Sequence, residues 1–460
     1  MLEDSISLLY IIYLFDPITR RKYMHTPISK QYEIRDPVHT SIPFDAKERA
    51  VIDHPFVQRL RRIRQLGFTQ YPFPGATHTR FLHSIGVMHL AGGVFDIIFQ
   101  DRPFSSNTVS QQYRYCLRMA ALLHDVGHSA YSHSTEFAMP NVSTVIHNWP
   151  TNKKDRQATH EDYTIAIITQ TSLAQTITQN FAFTAQHIAA LIDTSLEIDD
   201  DFFIDQGYNV RPLFSQLISS NLDMDRSDYL VRDSFFTGVK YGQVDISWLH
   251  NHLSRTILPD NSVVLGLHRR ALYAFDHFLI ARYNMFLMVY FHKMATAFEL
   301  MLEQYMADPE CTYRIPHDLD EYLYVDDADT FVHLRKSNHP IAQDIIRQNI
   351  YKVVGESHGQ HSITLQQQEI ALQEAGIPVW SQTVHGSSFS NLKSHQQAIY
   401  VLESNLESEG SSPLHSLSSA FDQAKFAVSI NRLYVPVPHY DQALKLLSKL
   451  DQQGTQQPLL

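Results

Sequence analysis

The chain has 460 residues, an apolar fraction of 44% and a formal net charge of −11 with histidine counted as neutral. This length exceeds one ordinary hydrophobic core and predicts two domains, or one large domain with an appendage. The acidic balance argues against wholesale nucleic-acid binding, which usually requires a basic excess. The two cysteines, Cys116 and Cys311, do not indicate a disulfide framework and favour a reducing, cytoplasmic setting.

The first 30 residues are predicted to form an N-terminal arm. Its apolar stretch at residues 6–15 is too short to cross a bilayer. Glu3 and Asp4 precede this stretch, where a secretory signal would carry basic residues. A packed strand or helix is the favoured interpretation, with a peripheral membrane contact as the weaker alternative, so no membrane partner is expected.

Residues 31–306 are dense in apolar residues at three- and four-residue spacing, which predicts helices. Phe56, Leu60 and Ile63 are one such set, and residues 119–123 and 275–301 contain others. Alternating β-branched residues are scarce, so a continuous parallel sheet is not expected. The predicted fold is mainly α, with a helical core.

The texture changes after residue 306. The acidic residues 318–329 predict a linker or a short helical excursion, and residues 357–419 are rich in Ser, Gln and His. Within the remainder, residues 398–402 and 429–435 predict strands, and residues 440–450 predict an amphipathic helix before a frayed end. Residues 307–460 are therefore predicted to form a small α+β subdomain with an oligomerisation or regulatory role.

Four residues in helical segments offer metal ligands: His83, the adjacent pair His124 and Asp125, and Asp225. Two imidazoles and two carboxylates suit a catalytic divalent metal that keeps positions open for water or substrate. Such a site would fit metal-assisted attack of water on a phosphate.

Histidine is frequent, at 26 residues, so a His-Asp pair can arise by chance. A second pair, His317 and Asp318, lies beside Pro316 with no apolar helical run before it, which predicts a loop. The surroundings of each ligand must therefore carry the interpretation.

Arg80 lies three residues before His83 and shares its helical face. A guanidinium in that place can take phosphate oxygens bidentately. The alternative is a hydrogen-bonded core histidine beside a surface arginine.

Asp225, Tyr229 and Asp233 are spaced i, i+4, i+8 on one helical stripe. This stripe fits either a polar site or an ion-paired solvated face that uses Arg226 and Arg232. The residues of this segment leave the two interpretations at parity.

More histidines follow the first pair. His128 comes four residues after His124 and is expected on the same side, His133 precedes Glu136 by three residues, and His160 follows Thr159. A histidine backed by a carboxylate suits a general acid. Taken singly, each of these residues also fits a structural or surface role.

Several motifs, in this order and spacing, resemble those of the HD-domain dNTP triphosphohydrolases. They are the strings RDPVH (35–39), QRLRRIRQLG (58–67), FPGATHTRFLHSIG (73–86), LHDVGHSAYSH (123–133), THE (159–161) and DRSDYLVRD (225–233). The match covers roughly residues 31–306, and the C-terminal third matches loosely. No SAM domain, which the human member of the family carries, is evident.

The resemblance implies an HD-domain phosphohydrolase core at residues 31–306, which would hydrolyse a dNTP to deoxynucleoside and inorganic triphosphate. The implied metal ligands are His83, His124, Asp125 and Asp225, holding Fe, Mn, Co, Ni or Zn, with Mg on the substrate phosphates. The implied catalytic residues are His128, His133 as proton donor to the departing 5′-oxygen, Glu136 behind it, and His160 as an accessory group. The implied substrate contacts are Arg80, Arg226 and Arg282 on the phosphates, Tyr229, Asp233 and Tyr290 around the deoxyribose, and Gln65 and Leu66 against the sugar.

By the same resemblance, a nucleotide activator (GTP or a dNTP) would bridge subunits of a homo-oligomer, either a dimer or a tetramer. The matching positions are Asp53, Gln58, Arg61, His292 and Lys293. Asp53, Gln58 and Arg61 also fit a solvated helix face. Two other functions stay open: an HD-domain phosphohydrolase acting on another nucleotide or a nucleic-acid end, and a non-catalytic protein that senses nucleotides or binds nucleic acid.

Overall fold

The computed structural model describes residues 31–101, 104–145, 156–359, 363–387, 398–403, 411–414 and 427–454. The predicted arm at residues 1–30 and most of the predicted frayed end lie outside these residues. The described part is mainly helical with small sheets, which confirms the predicted fold class.

The helices carry most of the described chain. In chain order they are α1 (Ala46–Ile52), α2 (Pro55–Arg59), α3 (Arg80–Ile98), α4 (Asn107–Leu123), α5 (Val142–Val145), α6 (His160–Gln170), α7 (Ser172–Asn180), α8 (Ala185–Ile192), α9 (Arg211–Ile218), α10 (Met224–Thr237), α11 (Ile246–Asn251), α12 (Leu272–Met285), α13 (Lys293–Ala307), α14 (Leu319–Tyr322), α15 (Asp327–Lys336), α16 (Pro340–Arg347), α17 (Ile363–Glu374) and α18 (Tyr440–Gly454). A single π-helical stretch at residues 286–290 follows α12.

The strands are short and form four small sheets. They are β1 (Tyr32–Asp36), β2 (Thr40–Phe44), β3 (Ile204–Asp205), β4 (Tyr208–Asn209), β5 (Leu253–Ile257), β6 (Val263–His268), β7 (Lys352–His358), β8 (Trp380–Ser387), β9 (Tyr400–Leu402), β10 (Ser411–Pro413) and β11 (Ala427–Val435). The sheet orders are β1-β2, β3-β4, β10-β9-β6-β5 and β7-β11-β8. Among these strands only β6 and β9 pair in parallel. The strands predicted at residues 398–402 and 429–435 are β9 and β11.

Helix α3 lies at the centre of the core, packed against α4 and α10. It is apolar around most of its circumference, as expected for a helix with neighbours on several sides. By length and composition it could cross a membrane, and so could a bent pair formed by residues 269–290 with α13. Within the fold, 67% of the apolar window of α3 is buried, which fits a core helix.

The acidic segment at residues 318–329 forms α14 and the start of α15, not an extended linker. Tyr322 and Val325 from this segment are buried in the main core. Asp318 caps α14 and His317 is exposed, so the second His-Asp pair lies at the surface. A smaller cluster in the C-terminal part packs α17 and α18 on β11, through Leu372, Leu433 and Leu447 among others.

Close packing between α3 and α10 depends on Gly86. A Cβ atom at Gly86 would collide with the Asp228 carboxylate and the Arg232 guanidinium of α10. Gly93, two turns further along α3, has open space where its Cβ would be. The two glycines therefore differ in what a methyl group would meet.

This contrast predicts opposite effects of the same substitution. Gly86→Ala should destabilise the fold by about 1–3 kcal/mol, because the methyl group overpacks a buried ion pair. Gly93→Ala should be neutral or stabilising by up to about 1 kcal/mol, because alanine favours the helix. Urea unfolding of both variants tests this. Equal effects at both positions would contradict the assigned packing.

Candidate metal centre and catalytic site

The four predicted metal ligands come from the ends of three helices. His83 lies in the first turn of α3, and His124 caps the C-terminus of α4 with Asp125 directly after it. Asp225 lies in the first turn of α10, whose N-cap is Asp223. Because α4 ends at Leu123, His128 reaches the site through a turn, and the predicted helical i, i+4 relation to His124 is wrong.

The ligand atoms of these residues converge. The Nε2 atom of His83 lies 3.0 Å from Asp225 Oδ1 and 3.6 Å from Asp125 Oδ2. The Nε2 atom of His124 lies 3.4 Å from Asp125 Oδ1 and 3.6 Å from Asp225 Oδ1. A metal with bonds of about 2.0–2.2 Å separates neighbouring ligand atoms by about 3 Å, so these spacings fit one ion.

Both histidines present a free nitrogen to this point. The Nε2 atoms of His83 and His124 are buried without a hydrogen-bond partner. Their other nitrogens are engaged, because His83 Nδ1 donates to Asp228 Oδ2 at 2.8 Å and His124 Nδ1 donates to the Ala121 carbonyl at 2.8 Å. These bonds place the proton on Nδ1 and leave the Nε2 lone pair for a cation. The donor set therefore fits a divalent metal.

The carboxylates of the site favour bound positive charge. Burial alone would lower the pKa of His83, but the carboxylates of Asp225 and Asp228 outweigh burial and raise it to about 10. Burial would raise the pKa of Asp225, but His124 and His83 hold it well below the usual range. A divalent cation would meet the same demand in place of imidazole protons.

Asp228 holds the His83 ring in place through the hydrogen bond from His83 Nδ1. Its carboxylate is fully buried and also accepts from Arg232 Nε at 2.8 Å and from His39 Nε2 at 2.5 Å. Arg232 in turn donates to Asp36 Oδ2 at 2.7 Å. Arg232 is 0% exposed, so the alternative of a solvated, ion-paired face is wrong for this residue.

Arg80 joins the metal ligands to the following turn. Its Nη1 donates to Asp125 Oδ2, and its Nε donates to Ser132 Oγ at 2.8 Å. Arg80 is only 3% exposed, so the competing interpretation of a surface arginine is wrong. Its position beside Asp125 fits the predicted place at the substrate phosphate.

Three histidines form a second cluster beside the metal ligands. His128 Nε2 lies 3.4 Å from Asp125 Oδ1, and its ring stacks on His160 at a centroid distance of 3.8 Å. Glu136 joins the other two rings, because it accepts from His133 Nδ1 at 3.0 Å and from His160 Nδ1 at 2.8 Å. The carboxylate thus fixes the orientation of both imidazoles.

The charge states of this cluster follow from its contacts. Burial would raise the pKa of Glu136, but the hydrogen bonds from His133 and His160 hold it well below the usual range. Burial, Arg80 and His160 hold the pKa of His128 well below the usual range, so its imidazole is neutral. Although the His133 ring reaches solvent, desolvation lowers its pKa, and Glu136 opposes this shift.

The three histidines are close enough to suggest a second metal site, but their geometry disfavours it. The rings of His128 and His160 are nearly parallel, with an interplanar angle of 15°. A metal lies in the plane of each imidazole that binds it, and two stacked rings cannot both satisfy that condition. The cluster therefore fits proton transfer better than metal binding.

The turn before His133 has an unusual backbone. Tyr131 and Ser132 both have left-handed φ angles, of 54° and 60°. Each such residue costs about 1–2 kcal/mol relative to ordinary helical backbone. Earlier in the same loop, a Cβ atom at Gly127 would collide with the backbone of α6, which explains the glycine.

The predicted sugar-binding residues lie together at the other end of the site. Asp233 Oδ1 accepts from His78 Nε2 at 2.7 Å, and Asp233 Oδ2 accepts from the Tyr290 hydroxyl at 2.9 Å. Gln65 N donates to the His78 carbonyl at 3.0 Å, and Gln65 Oε1 is buried without a partner. The Gln65 amide is therefore left to bind a polar group.

Other predicted contacts surround this end. Tyr229 makes an edge contact with Tyr290 at a centroid distance of 6.2 Å. Arg226 pairs with Asp223, the N-cap of its own helix, and Arg282 lies over the Phe286 ring. Leu66 is half-buried against the core.

The predicted activator residues lie on separate elements. Arg61 Nε donates to Gln58 Oε1 at 2.8 Å, and its guanidinium lies 3.6 Å from the centroid of the Phe81 ring. Asp53 accepts from Arg49 at 2.9 Å. His292 caps α13, and Lys293 is its first residue. Their role in binding an activator stays a prediction.

Sequence reasoning did not predict the buried residues that hold the metal ligands and Asp233 in place. They are Asp36, His39, His78, Asp228 and Arg232. All five lie inside strings that carry the family resemblance, and Asp228 and Arg232 have the i, i+4 spacing of an ion pair. An ion pair at this spacing on a helix is usually solvated. Only the burial of Asp228 and Arg232 shows that this pair supports the site.

Two families of known sequences match the chain. Residues 80–194 match the HD domain, and residues 249–374 match the HD associated region. The first span holds His83, His124, Asp125 and the three clustered histidines. Asp225 lies between the two spans.

Curated relatives share part of the chain. An uncharacterised protein of Methanocaldococcus jannaschii is 28% identical over 319 residues, which cover 69% of this chain and 58% of that protein. The uncharacterised protein YwfO of Bacillus subtilis is 32% identical over 282 residues, or 61% of this chain and 56% of its own. A deoxynucleoside triphosphate triphosphohydrolase SAMHD1 homologue of Dictyostelium discoideum is 27% identical over 334 residues, or 70% of this chain and 60% of its own. The matched region thus spans less than two thirds of each of these relatives.

Two solved structures share the fold. A hypothetical protein from Aquifex aeolicus matches with a TM-score of 0.70 and 24% identity, covering 91% of this chain and 100% of that chain. A phosphohydrolase from Bacteroides thetaiotaomicron matches with a TM-score of 0.65 and 23% identity, covering 88% and 100%. At these identities the likeness concerns the fold.

The contact between Asp228 and His83 predicts a role in metal affinity. Asp228→Asn should weaken binding of a divalent metal by about 10–100-fold, because the amide orients the imidazole less firmly and lowers its basicity. Titration calorimetry measures this, with circular dichroism to confirm folding. The exposed Glu303→Gln on α13 is the matched control and should bind metal like the unchanged protein. Equal affinity in both variants would contradict the assignment.

Proposed function

We propose that the chain, whose residues 80–194 match the HD domain, hydrolyses deoxynucleoside triphosphates to deoxynucleoside and inorganic triphosphate. The observation that carries this proposal is the contact between the metal ligands and the histidine cluster. His128 lies 3.4 Å from Asp125, so the proposed metal ligands lie next to the histidines proposed for proton transfer. Hydrolysis of a phosphate ester needs both at neighbouring atoms.

The proposed reaction is an in-line displacement at the α-phosphorus. The oxygen of a water molecule bonds to phosphorus and releases one proton to solvent, while the bond from phosphorus to the 5′-oxygen breaks. His133 gives a proton to the departing 5′-oxygen, so the products are deoxynucleoside and triphosphate. A divalent ion held by His83, His124, Asp125 and Asp225 would polarise the phosphate and lower the pKa of water.

Protonation of His133 depends on the charge that the substrate brings. In the free site the pKa of His133 is lowered, so its imidazole is largely neutral near pH 7. A bound polyphosphate brings negative charge beside the ring and favours the imidazolium form. Glu136 keeps the ring oriented with Nδ1 toward itself, so the donated proton leaves from Nε2.

The proposed binding of the triphosphate uses arginine. Arg80 lies beside Asp125. Arg226 lies in the first turn of α10, and Arg282 lies in the last turn of α12. Arg226 is ion-paired with Asp223, so its guanidinium is held in place before substrate arrives. Such fixed cations stabilise developing phosphate charge without reorganisation.

The proposed sugar contact is Asp233. Its carboxylate is held by His78 and Tyr290, and each oxygen keeps a second lone pair that can accept from a 3′-hydroxyl. Gln65 and Leu66 would lie against the sugar, where a 2′-hydroxyl would crowd them.

Regulation and assembly belong to the same proposal. The chain would form a homo-oligomer, either a dimer or a tetramer, and GTP or a dNTP would activate it. The bridging nucleotide would bind among Asp53, Gln58, Arg61, His292 and Lys293. The support is the matching of these positions to the family pattern. The pairing of Arg61 with Gln58 would have to open to admit the nucleotide.

A panel of nucleotides tests the proposed activity. Metal-loaded protein is incubated with each dNTP, alone and with GTP or a second dNTP as activator, and the products are separated by ion exchange. We expect deoxynucleoside and inorganic triphosphate. Release of pyrophosphate or orthophosphate would contradict the proposed bond, and turnover only of another nucleotide would favour a different HD-domain phosphohydrolase.

The sugar contact predicts a substrate-dependent loss. Asp233→Ala should lower kcat/KM for a dNTP by about 10–100-fold, because a charge-assisted hydrogen bond to the 3′-hydroxyl is lost. The same variant should act on bis(p-nitrophenyl) phosphate, which has no sugar, almost as well as the unchanged protein. Parallel rate measurements with both substrates decide this. An equal loss on both substrates would show that Asp233 does not bind the sugar.

A further inference from the structure

The strained turn at Tyr131 and Ser132 directly precedes His133, and its geometry needs an explanation. Two successive non-glycine residues in the left-handed region persist only where surrounding contacts hold them. In this fold the contacts come from a distant part of the chain, at the start of α15. They connect the HD-associated segment with the residues proposed to act at the leaving oxygen.

Asp327 supplies the central contact. Its Oδ1 accepts from the Tyr131 backbone N–H at 2.6 Å, and its Oδ2 accepts from the Arg64 backbone N–H at 3.0 Å. The Asp327 side chain therefore clamps two backbone segments, one leading to Gln65 and the other to His133. Ser132 completes the clamp, because its Oγ donates to the Arg64 carbonyl at 2.6 Å.

Neighbouring groups of the same segment hold the rest of the catalytic loop. The Tyr322 hydroxyl donates to the Gly127 carbonyl at 2.8 Å. Arg59, which is fully buried, donates to the carbonyls of His128 at 2.6 Å and Val325 at 2.8 Å. The loop carrying His128 and His133 is thus fastened by backbone hydrogen bonds to residues 322–327 and to Arg59.

The choice of a carboxylate at residue 327 is informative. Asp327 is 5% exposed, and burial raises its pKa to about 6. Keeping this carboxylate ionised therefore costs the folded state free energy. An asparagine could accept only one of the two N–H groups, because its NH₂ would face the other donor. Only a carboxylate of this length serves both segments at once.

We propose that Asp327 is a positioning residue, whose clamp on the turn at residues 131–132 aims His133 at the leaving oxygen of the substrate. This inference rests on the proposed function of His133 as the proton donor. It assigns to the HD-associated segment a direct part in completing the catalytic site.

The test uses the full, metal-loaded chain with Asp327→Asn. For a dNTP, kcat should fall by about tenfold or more with KM nearly unchanged, because a small misplacement of a catalytic group is costly. For bis(p-nitrophenyl) phosphate the loss should be much smaller, because p-nitrophenolate leaves without protonation. Hydrogen exchange of the amides at residues 131–136 should also become faster.

Asp326→Asn is the matched control. It makes the same change of charge one residue earlier, and asparagine preserves the N-cap of α15. Asp326 pairs with Arg62 and does not bond to the catalytic loop, so this variant should keep the rate and the exchange pattern of the unchanged protein. If Asp327→Asn fails to fold, Asp327→Glu, which keeps the carboxylate but displaces it by one methylene group, should show the same kinetic signature.

The outcomes separate this inference from the proposed function. Equal losses on both substrates, or unchanged exchange at residues 131–136 in Asp327→Asn, would overturn the positioning role. If the unchanged protein releases no triphosphate from any dNTP, the proposed function fails, and with it the aim of His133 at a 5′-oxygen. The exchange data then still show whether Asp327 holds the turn.

Discussion

The buried carboxylate of Asp228 is the group on which the geometry of the site depends. It accepts from His83, from His39 and twice from Arg232, so each of its oxygens is fully used. These bonds join α3, α10 and the β1-β2 hairpin around one point. A buried charge is tolerated only when it is paired and hydrogen-bonded, and here that requirement fixes the ring of His83.

The remainder of the site follows as a continuous series of carboxylates and imidazoles. From Asp228 it runs through His83 to Asp225 and Asp125, on to His128 and His160, and ends at Glu136 and His133. Near one end, the Nε2 atoms of His83 and His124 are buried without a hydrogen-bond partner and could bind a cation, and at the other end His133 reaches solvent. These contacts keep the proposed cation site beside the histidines proposed for proton transfer.

Sequence periodicity predicted which residues of the site share a helical face. The spacing of His83 from Arg80, and of Asp225 from Tyr229 and Asp233, follows from 3.6 residues per turn. It could not decide whether Arg232 faced solvent or the core, because the same i, i+4 spacing serves both. Nor could it connect Asp327 with Tyr131, since a contact across almost 200 residues depends on how the helices pack. His128 does lie at the site, but the chain reaches it through a turn after the end of α4 and not along a helical face.

The claim that the cation centre and the histidine cluster act together on an α-phosphorus is tested most directly by isotope labelling. Hydrolysis of a dNTP is carried out in H₂¹⁸O, and the products are analysed by ³¹P NMR and mass spectrometry. We predict one ¹⁸O atom on a terminal phosphorus of inorganic triphosphate and none in the deoxynucleoside. Label in pyrophosphate, in a nucleoside monophosphate or in the 5′-hydroxyl would contradict it.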